Sequence, residues 1–135
     1  MTKVEAAWLA GFIDGEGTLS ARKNNVDYVL GYLNIYNTNV QVIKYITSLI
    51  GGHVSRTNRA TSRHKEGLKV SLYGRSTLPV IRAITPFLRI KQQQAQLLVE
   101  LFTIQSRSTK SHREIKEQRR IMGHLVKLNR KGPPK

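Results

Sequence analysis

The chain has 135 residues, enough for one compact domain with a real core and too few for two ordinary ones. It carries 23 Lys or Arg against 8 Asp or Glu, a net charge of +15, so it repels itself when free and suits a polyanionic partner, nucleic acid first. With zero cysteines it has no disulfide framework and no thiolate metal site, and no stretch approaches the roughly 18 apolar residues of a spanning helix, so no membrane partner is expected. No basic segment followed by an apolar core and a cleavage site opens it, and the expected location is the cytoplasm, at the nucleoid, or an organelle.

The first expected element is a helix from Val4 to Ile13. Trp8 and Phe12 stand at i and i+4, as do Leu9 and Ile13, and together they form a broad apolar face that belongs in a core. Elsewhere on the helix Ala7, Gly11 and Asp14, with Ala10, leave little between this backbone and a neighbour. A glycine inside a helix costs up to about 1 kcal/mol relative to alanine, and close approach of a second backbone offsets that cost. The triplet Gly15-Glu16-Gly17 then ends the helix and lets the Glu16 carboxylate and nearby carbonyls, that of Gly15 included, point past it. These are hard oxygen ligands of the kind Mg²⁺ accepts. A capped helix entering a turn explains the same residues.

Thr18 to Lys23 alternate as a half-buried strand, Asn24-Asn25 reads as a turn, and a second strand runs from Tyr28 to Tyr36. Val29, Leu33 and Ile35 share one face, while Tyr28, Tyr32, Asn34 and Tyr36 share the other. Beside Thr18, Ser20, Arg22 and Asn24 they make a polar, aromatic face. Singly, each fits a solvated sheet. As a set, at this net charge, they read as a DNA-contacting surface, because Arg and Asn bond base edges and a two-stranded ribbon fits the major groove.

Asn37-Thr38-Asn39 offers a cap for a helix with Ile43, Ile46, Leu49 and Ile50 in a stripe, closed by Gly51-Gly52. A third strand, Val54 to Thr57, has His53, Ser55 and Thr57 on one side. Asn58 to Gly67 is a basic loop with Arg59 and Arg63, and a fourth strand, Leu68 to Tyr73, turns Lys69, Ser71 and Tyr73 outward. Ser76 is expected to cap a helix through Leu78, Ile81 and Ile84 that Pro86 stops. A further helix carries Leu97, Leu98, Leu101 and Phe102, and Gln105 to Ser111 is a polar linker. The last helix, Arg113 to Asn129, sets Ile115, Met122, Leu125 and Leu128 among six Lys or Arg residues between 113 and 130, a face suited to phosphate. The Gly-Pro-Pro-Lys end is expected to be disordered without DNA.

The expected class is therefore α/β in the α+β sense: an antiparallel sheet with helices on one face and the other left open. The division expected is a core over residues 1–105 and a basic helix and tail over 106–135.

Leu9 to Gly17, LAGFIDGEG, resembles the signature of the LAGLIDADG homing endonucleases. It agrees at Leu9, Ala10, Gly11, Ile13, Asp14 and Gly17, with Phe12 for Leu, Gly15 for Ala and Glu16 for the second Asp. Pro86-Phe87-Leu88-Arg89-Ile90-Lys91 is similar to the family's PFL-x-x-K segment. The resemblance implies an αββαββα fold with a saddle-shaped sheet in the DNA major groove, covering the chain to about Gln105. It also implies Lys91 in the catalytic pocket, Asn37 as the residue that orients water, and a double-strand break with short 3′ overhangs.

On this basis the chain is expected to be an intron-homing endonuclease, with Glu16 as metal ligand, the Gly15 carbonyl as a second, and Mg²⁺ or Mn²⁺ as cofactor. One signature per chain requires two chains to cut two strands, hence a homodimer through Ala7, Ala10, Gly11 and Asp14 and a near-palindromic site. Asp14 is expected to join the two helices at that seam. The rival is a catalytically silent binder on the same scaffold, either an intron RNA maturase or a DNA regulator. No His-Glu-x-x-His, Cys-x-x-Cys or Gly-Lys-Ser/Thr loop is present, and the four histidines, at 53, 64, 112 and 124, are scattered.

Overall fold

The computed structural model describes residues 1–25, 27–57, 66–107 and 111–130. Helix α1 spans Lys3–Glu16, strand β1 Gly17–Asn25, β2 Tyr28–Asn37, helix α2 Val40–Ile50, β3 His53–Arg56 and β4 Leu68–Tyr73. Helices α3 (Leu78–Ile84), α4 (Gln92–Gln105) and α5 (His112–Leu128) follow, with 3₁₀ turns at Gly74–Thr77 and Thr85–Phe87. The sheet is antiparallel throughout, in the order β1-β2-β4-β3. Residues 58–65, with Arg59 and Arg63, residues 108–110 of the expected linker, and the Gly-Pro-Pro-Lys end fall outside the described residues.

Alternation along the strands divides the sheet into a core face and an open face. Leu19, Ala21, Leu33, Ile35, Val70 and Leu72 are buried with Ile43 and Ile46 of α2, Ile81 and Ile84 of α3, Leu98, Leu101 and Phe102 of α4, and Ile121 and Leu125 of α5. The open face carries in-register rows, as the pleat requires. Thr18, Asn34, Ser71 and His53 cross all four strands; Ser20, Tyr32 and Tyr73 cross three.

Several expectations change. Helix α1 begins one residue earlier and runs on through Glu16. Its start is a Thr2/Glu5 capping box, in which the Thr2 hydroxyl accepts from the Glu5 N–H at 3.1 Å and Glu5 accepts from the Thr2 N–H at 2.7 Å. The Thr2 backbone N–H, and after it the Thr2 hydroxyl, hold the Glu5 carboxyl below its ordinary pKa. Asn24 and Asn25, expected as a turn, both belong to β1: Asn25 pairs with Tyr28 and its Oδ1 accepts the Asp27 N–H at 3.0 Å, and Asn24 falls where the register shifts. Ser76 does not cap α3: its hydroxyl donates to the Tyr73 carbonyl at 2.9 Å. Ser111 caps α5 by accepting the Glu114 N–H at 3.2 Å.

Helix α5 docks on β1 and β2, with Ile121 and Leu125 buried in the core and Gln118 Oε1 accepting the N–H of Val29 in β2 at 3.2 Å. Gln105 at the end of α4 donates to the Val29 carbonyl and to Gln118. Val29 lies beyond the stretch of β2 that β4 pairs, so two glutamines satisfy a backbone that would otherwise be buried and unbonded.

Candidate active site

A cleft of about 480 Å³ opens where α1 passes into β1. Gly15, Glu16, Gly17 and Thr18 line it from that junction, Tyr36 from β2, Lys91 from the start of α4 and Asn129 from the end of α5. The junction is tight because Gly17 is buried against the helix it follows. A Cβ there would lie 3.0 Å from both Ile13 Cα and Ile13 Cγ2, so the chain turns from helix to strand with no intervening loop. Glu16, the last helical residue, is exposed at the mouth.

The last four carbonyls of a helix have no helical partner. In α1, Ile13 receives Lys91 Nζ at 3.0 Å and the Gly17 N–H, and Asp14 receives Lys91 Nζ at 2.7 Å. Gly15 and Glu16, the next two residues, line the cleft itself. An ammonium at this end also meets the negative pole of the helix.

Asp14 works in the opposite sense. Its Oδ2 accepts the Arg89 N–H at 2.7 Å, and its Oδ1 accepts those of Ile90 and Lys91 at 3.1 and 2.9 Å. These three donors lead into α4, whose N-cap, Lys91, has no side-chain cap of its own. The Asp14 carboxylate thus bonds three backbone N–H groups of its own chain.

Ala10, expected at the seam, is instead fully buried in the core of its own chain, with Ala6, Leu9 and Ile13. Trp8 is not core. It is 39% exposed and packs on Phe12 and Tyr45, with ring centres 5.4 and 5.1 Å away. The helix buries its 6/9/10/13 stripe, which rotates Trp8 to the rim and leaves Val4, Gly11 and Gly15 outward, with Ala7 half-buried.

Asn37 is next to the cleft in sequence but does not line it. Its Oδ1 accepts the Asn39 N–H at 2.8 Å in the turn that starts α2, and the β2 residue in the cleft is Tyr36. Asn129 had no expected role. Its Nδ2 donates to Leu19 of β1 at 2.8 Å and to Leu125 at 2.9 Å, which pins the end of α5 to the cleft. An Asn closing a helix reads in sequence as an ordinary cap; the bond to a strand 110 residues away carries no local signal.

Of the residues expected to touch DNA, Thr18, Arg22, Tyr32, Asn34, Tyr36, His53, Ser55, Lys69 and Tyr73 lie on the open face, exposed or partly so. Ser20 and Ser71 share that face but are buried, at 5% and 2% exposure. Tyr28 is tied to the helical layer, its hydroxyl donating to Gln105 Oε1 at 3.3 Å, and Thr57 bonds Gly67 across the β3–β4 connection. Among the described residues no three His, Cys, Asp or Glu side chains cluster to hold a metal.

No family model matches the chain, and no curated protein matches it in sequence. Solved structures do. The homing endonuclease I-CvuI, in complex with its target and calcium, superposes at TM-score 0.82 with 21% identity over 96% of this chain and 85% of its own. The archaeal intron-encoded homing endonuclease I-Vdi141I, complexed with DNA, gives 0.78 with 17% identity over 98% and 88%. The LAGLIDADG homing endonuclease I-SmaMI, bound to cleaved DNA, gives 0.73 with 17% identity over 92% of this chain and 44% of its own.

This is the LAGLIDADG homing-endonuclease fold. In that fold, the αββαββα order inferred from the signature holds through α3, and α4 and α5 complete the layer over the core face. The signature helix of the homing-endonuclease fold is α1, and its end forms the cleft described above.

Proposed function

We propose that the protein is a site-specific DNA endonuclease of intron homing, acting as a homodimer that breaks both strands of a long, near-palindromic site with a divalent cation, Mg²⁺ or Mn²⁺. The observation that carries this is the cleft at the end of α1, which Gly15, Glu16 and Lys91 line together.

The donor set fits Mg²⁺, which keeps several waters and takes one or two carboxylates plus phosphate oxygens rather than an all-protein cage. Glu16 and the Gly15 carbonyl would hold it. Bound there, a divalent cation polarises the phosphate and makes water a stronger nucleophile. The chain's own groups do the rest. Lys91, tethered by two carbonyls, sets a positive charge beside the phosphate, while Thr18, Tyr36 and Asn129 offer polar groups to the attacking water.

One carboxylate per cleft calls for a second chain. The outer face of α1 supports one: Val4 is 80% exposed, Trp8 is 39% exposed, and around Gly11 and Gly15 nothing lies within 4 Å of an added Cβ. The open face, polar and aromatic, is the surface offered to the major groove. I-CvuI, I-Vdi141I and I-SmaMI have each been solved with DNA, and I-CvuI with calcium and with magnesium, which supports both partner and cofactor.

Incubating the protein with a library of duplexes in Mg²⁺ tests this. The wild type should cut a related subset, and Glu16→Gln should bind that subset without cutting it. A Glu16→Gln protein that cuts at the wild-type rate overturns the assignment. Wild-type binding with no cleavage at any Mg²⁺ concentration favours the silent DNA or RNA binder.

A further inference from the structure

We propose that Arg22 reads a guanine in the major groove and is held for that task by Tyr32 and Tyr73; this rests on the DNA-cleaving function proposed above. Arg22 is an exposed residue of β1 on the open face. Its guanidinium carbon lies 6.0 Å from the centre of the Tyr32 ring and 5.7 Å from that of Tyr73. The two tyrosines are themselves partners in register across β2 and β4. No carboxylate among the described residues forms an ion pair with Arg22.

Attraction to a ring face uses none of the five guanidinium N–H donors. The two rings restrict a long side chain before DNA arrives and leave its fork of donors unspent. A planar fork matches the O6 and N7 acceptors of guanine, which stand side by side only on that base. An arginine serving phosphate alone needs no such platform, and a lysine would do as well.

Position narrows the contact. Arg22 is five strand residues beyond Gly17, roughly 17 Å along β1, which is the rise of about five base pairs. Each half-site should therefore carry one guanine within about five base pairs of the scissile phosphate, and a symmetric dimer should show the pair in mirror positions.

The test is selection from a duplex library by cleavage in Mg²⁺, with sequencing of cut products, for the wild type, Arg22→Gln, Arg22→Lys, Tyr73→Phe and Tyr73→Leu. The wild type should favour guanine at one symmetric pair of positions. Arg22→Gln should lower that preference roughly 10- to 100-fold and turn it toward adenine, whose N6 and N7 suit an amide. Arg22→Lys should keep binding but lose much of the preference. Tyr73→Phe should keep it and Tyr73→Leu weaken it, a readout that a loss of folding would not produce. If the wild type selects a site and Arg22→Gln or Arg22→Lys leaves every base preference unchanged, Arg22 is not the reader and the proposal falls while the endonuclease function stands. A wild type that selects no sequence at all overturns both.

Discussion

Asp14 and Lys91 hold each other twice. The Lys91 backbone N–H donates to Asp14 Oδ1 at 2.9 Å, and the Lys91 ammonium donates to the Asp14 main-chain carbonyl at 2.7 Å. The carboxylate holds the segment that leads into α4 by its N–H groups, and the ammonium meets carbonyls in the last turn of α1. The cleft is built on this exchange, because it fixes Lys91 beside the turn on which Glu16 sits.

Asp14→Ala should therefore unfold more easily, by about 2 kcal/mol or more, since three N–H groups lose a charged acceptor. Asp14→Asn should cost less, because its amide keeps one oxygen. Urea unfolding measures both; an Asp14→Ala protein within about 0.5 kcal/mol of the wild type would show that solvent replaces the carboxylate freely.

Lys91→Met should separate binding from cutting. The single-turnover cleavage rate at saturating protein should fall on the order of 100-fold, the usual effect of deleting one group that stabilises developing charge. Affinity for the same duplex should change little. A rate within a factor of three of the wild type, on the order of 0.6 kcal/mol, would remove Lys91 from the chemistry.

Gly11→Leu tests the second chain. Nothing lies within 4 Å of a Cβ added at Gly11, so the substituted monomer should fold with an equal or higher thermal midpoint, gaining up to about 1 kcal/mol of helix propensity. The bulk should instead keep two α1 helices apart. Sedimentation should give a dimer for the wild type and a monomer for the variant, and double-strand cleavage should be lost. A Gly11→Leu dimer that still cuts both strands would place the seam elsewhere.

Gly31→Ala tests the packing behind the open face. A Cβ on Gly31 would come 2.8 Å from Phe102 Cε1 and Cζ and 3.0 Å from Leu98 Cδ2, so α4 must shift or the core must strain. The expected loss is about 1–3 kcal/mol, read as a lower unfolding midpoint with the slope unchanged. A midpoint equal to the wild type's would mean that Phe102 moves aside without cost.

Strand alternation was legible because a sheet with one wet face writes its period into the sequence: Leu19, Leu33, Ile35 and Val70 went inward as their spacing required. Trp8 was misplaced because size and apolarity alone do not say which side of a nearly all-apolar helix turns inward. Asn37 satisfies a neighbouring turn, a local use that competes with any catalytic one.

The sequence by itself determined the element order, the polar and apolar faces of the sheet, the basic charge and the acidic end of the first helix, because each depends on residues a few positions apart. Only the tertiary structure decided that Asp14 serves its own chain, that Ala10 is core, and that Tyr36 and Asn129 line the cleft beside Glu16. Those outcomes depend on contacts between residues as many as 110 positions apart, which no local period encodes.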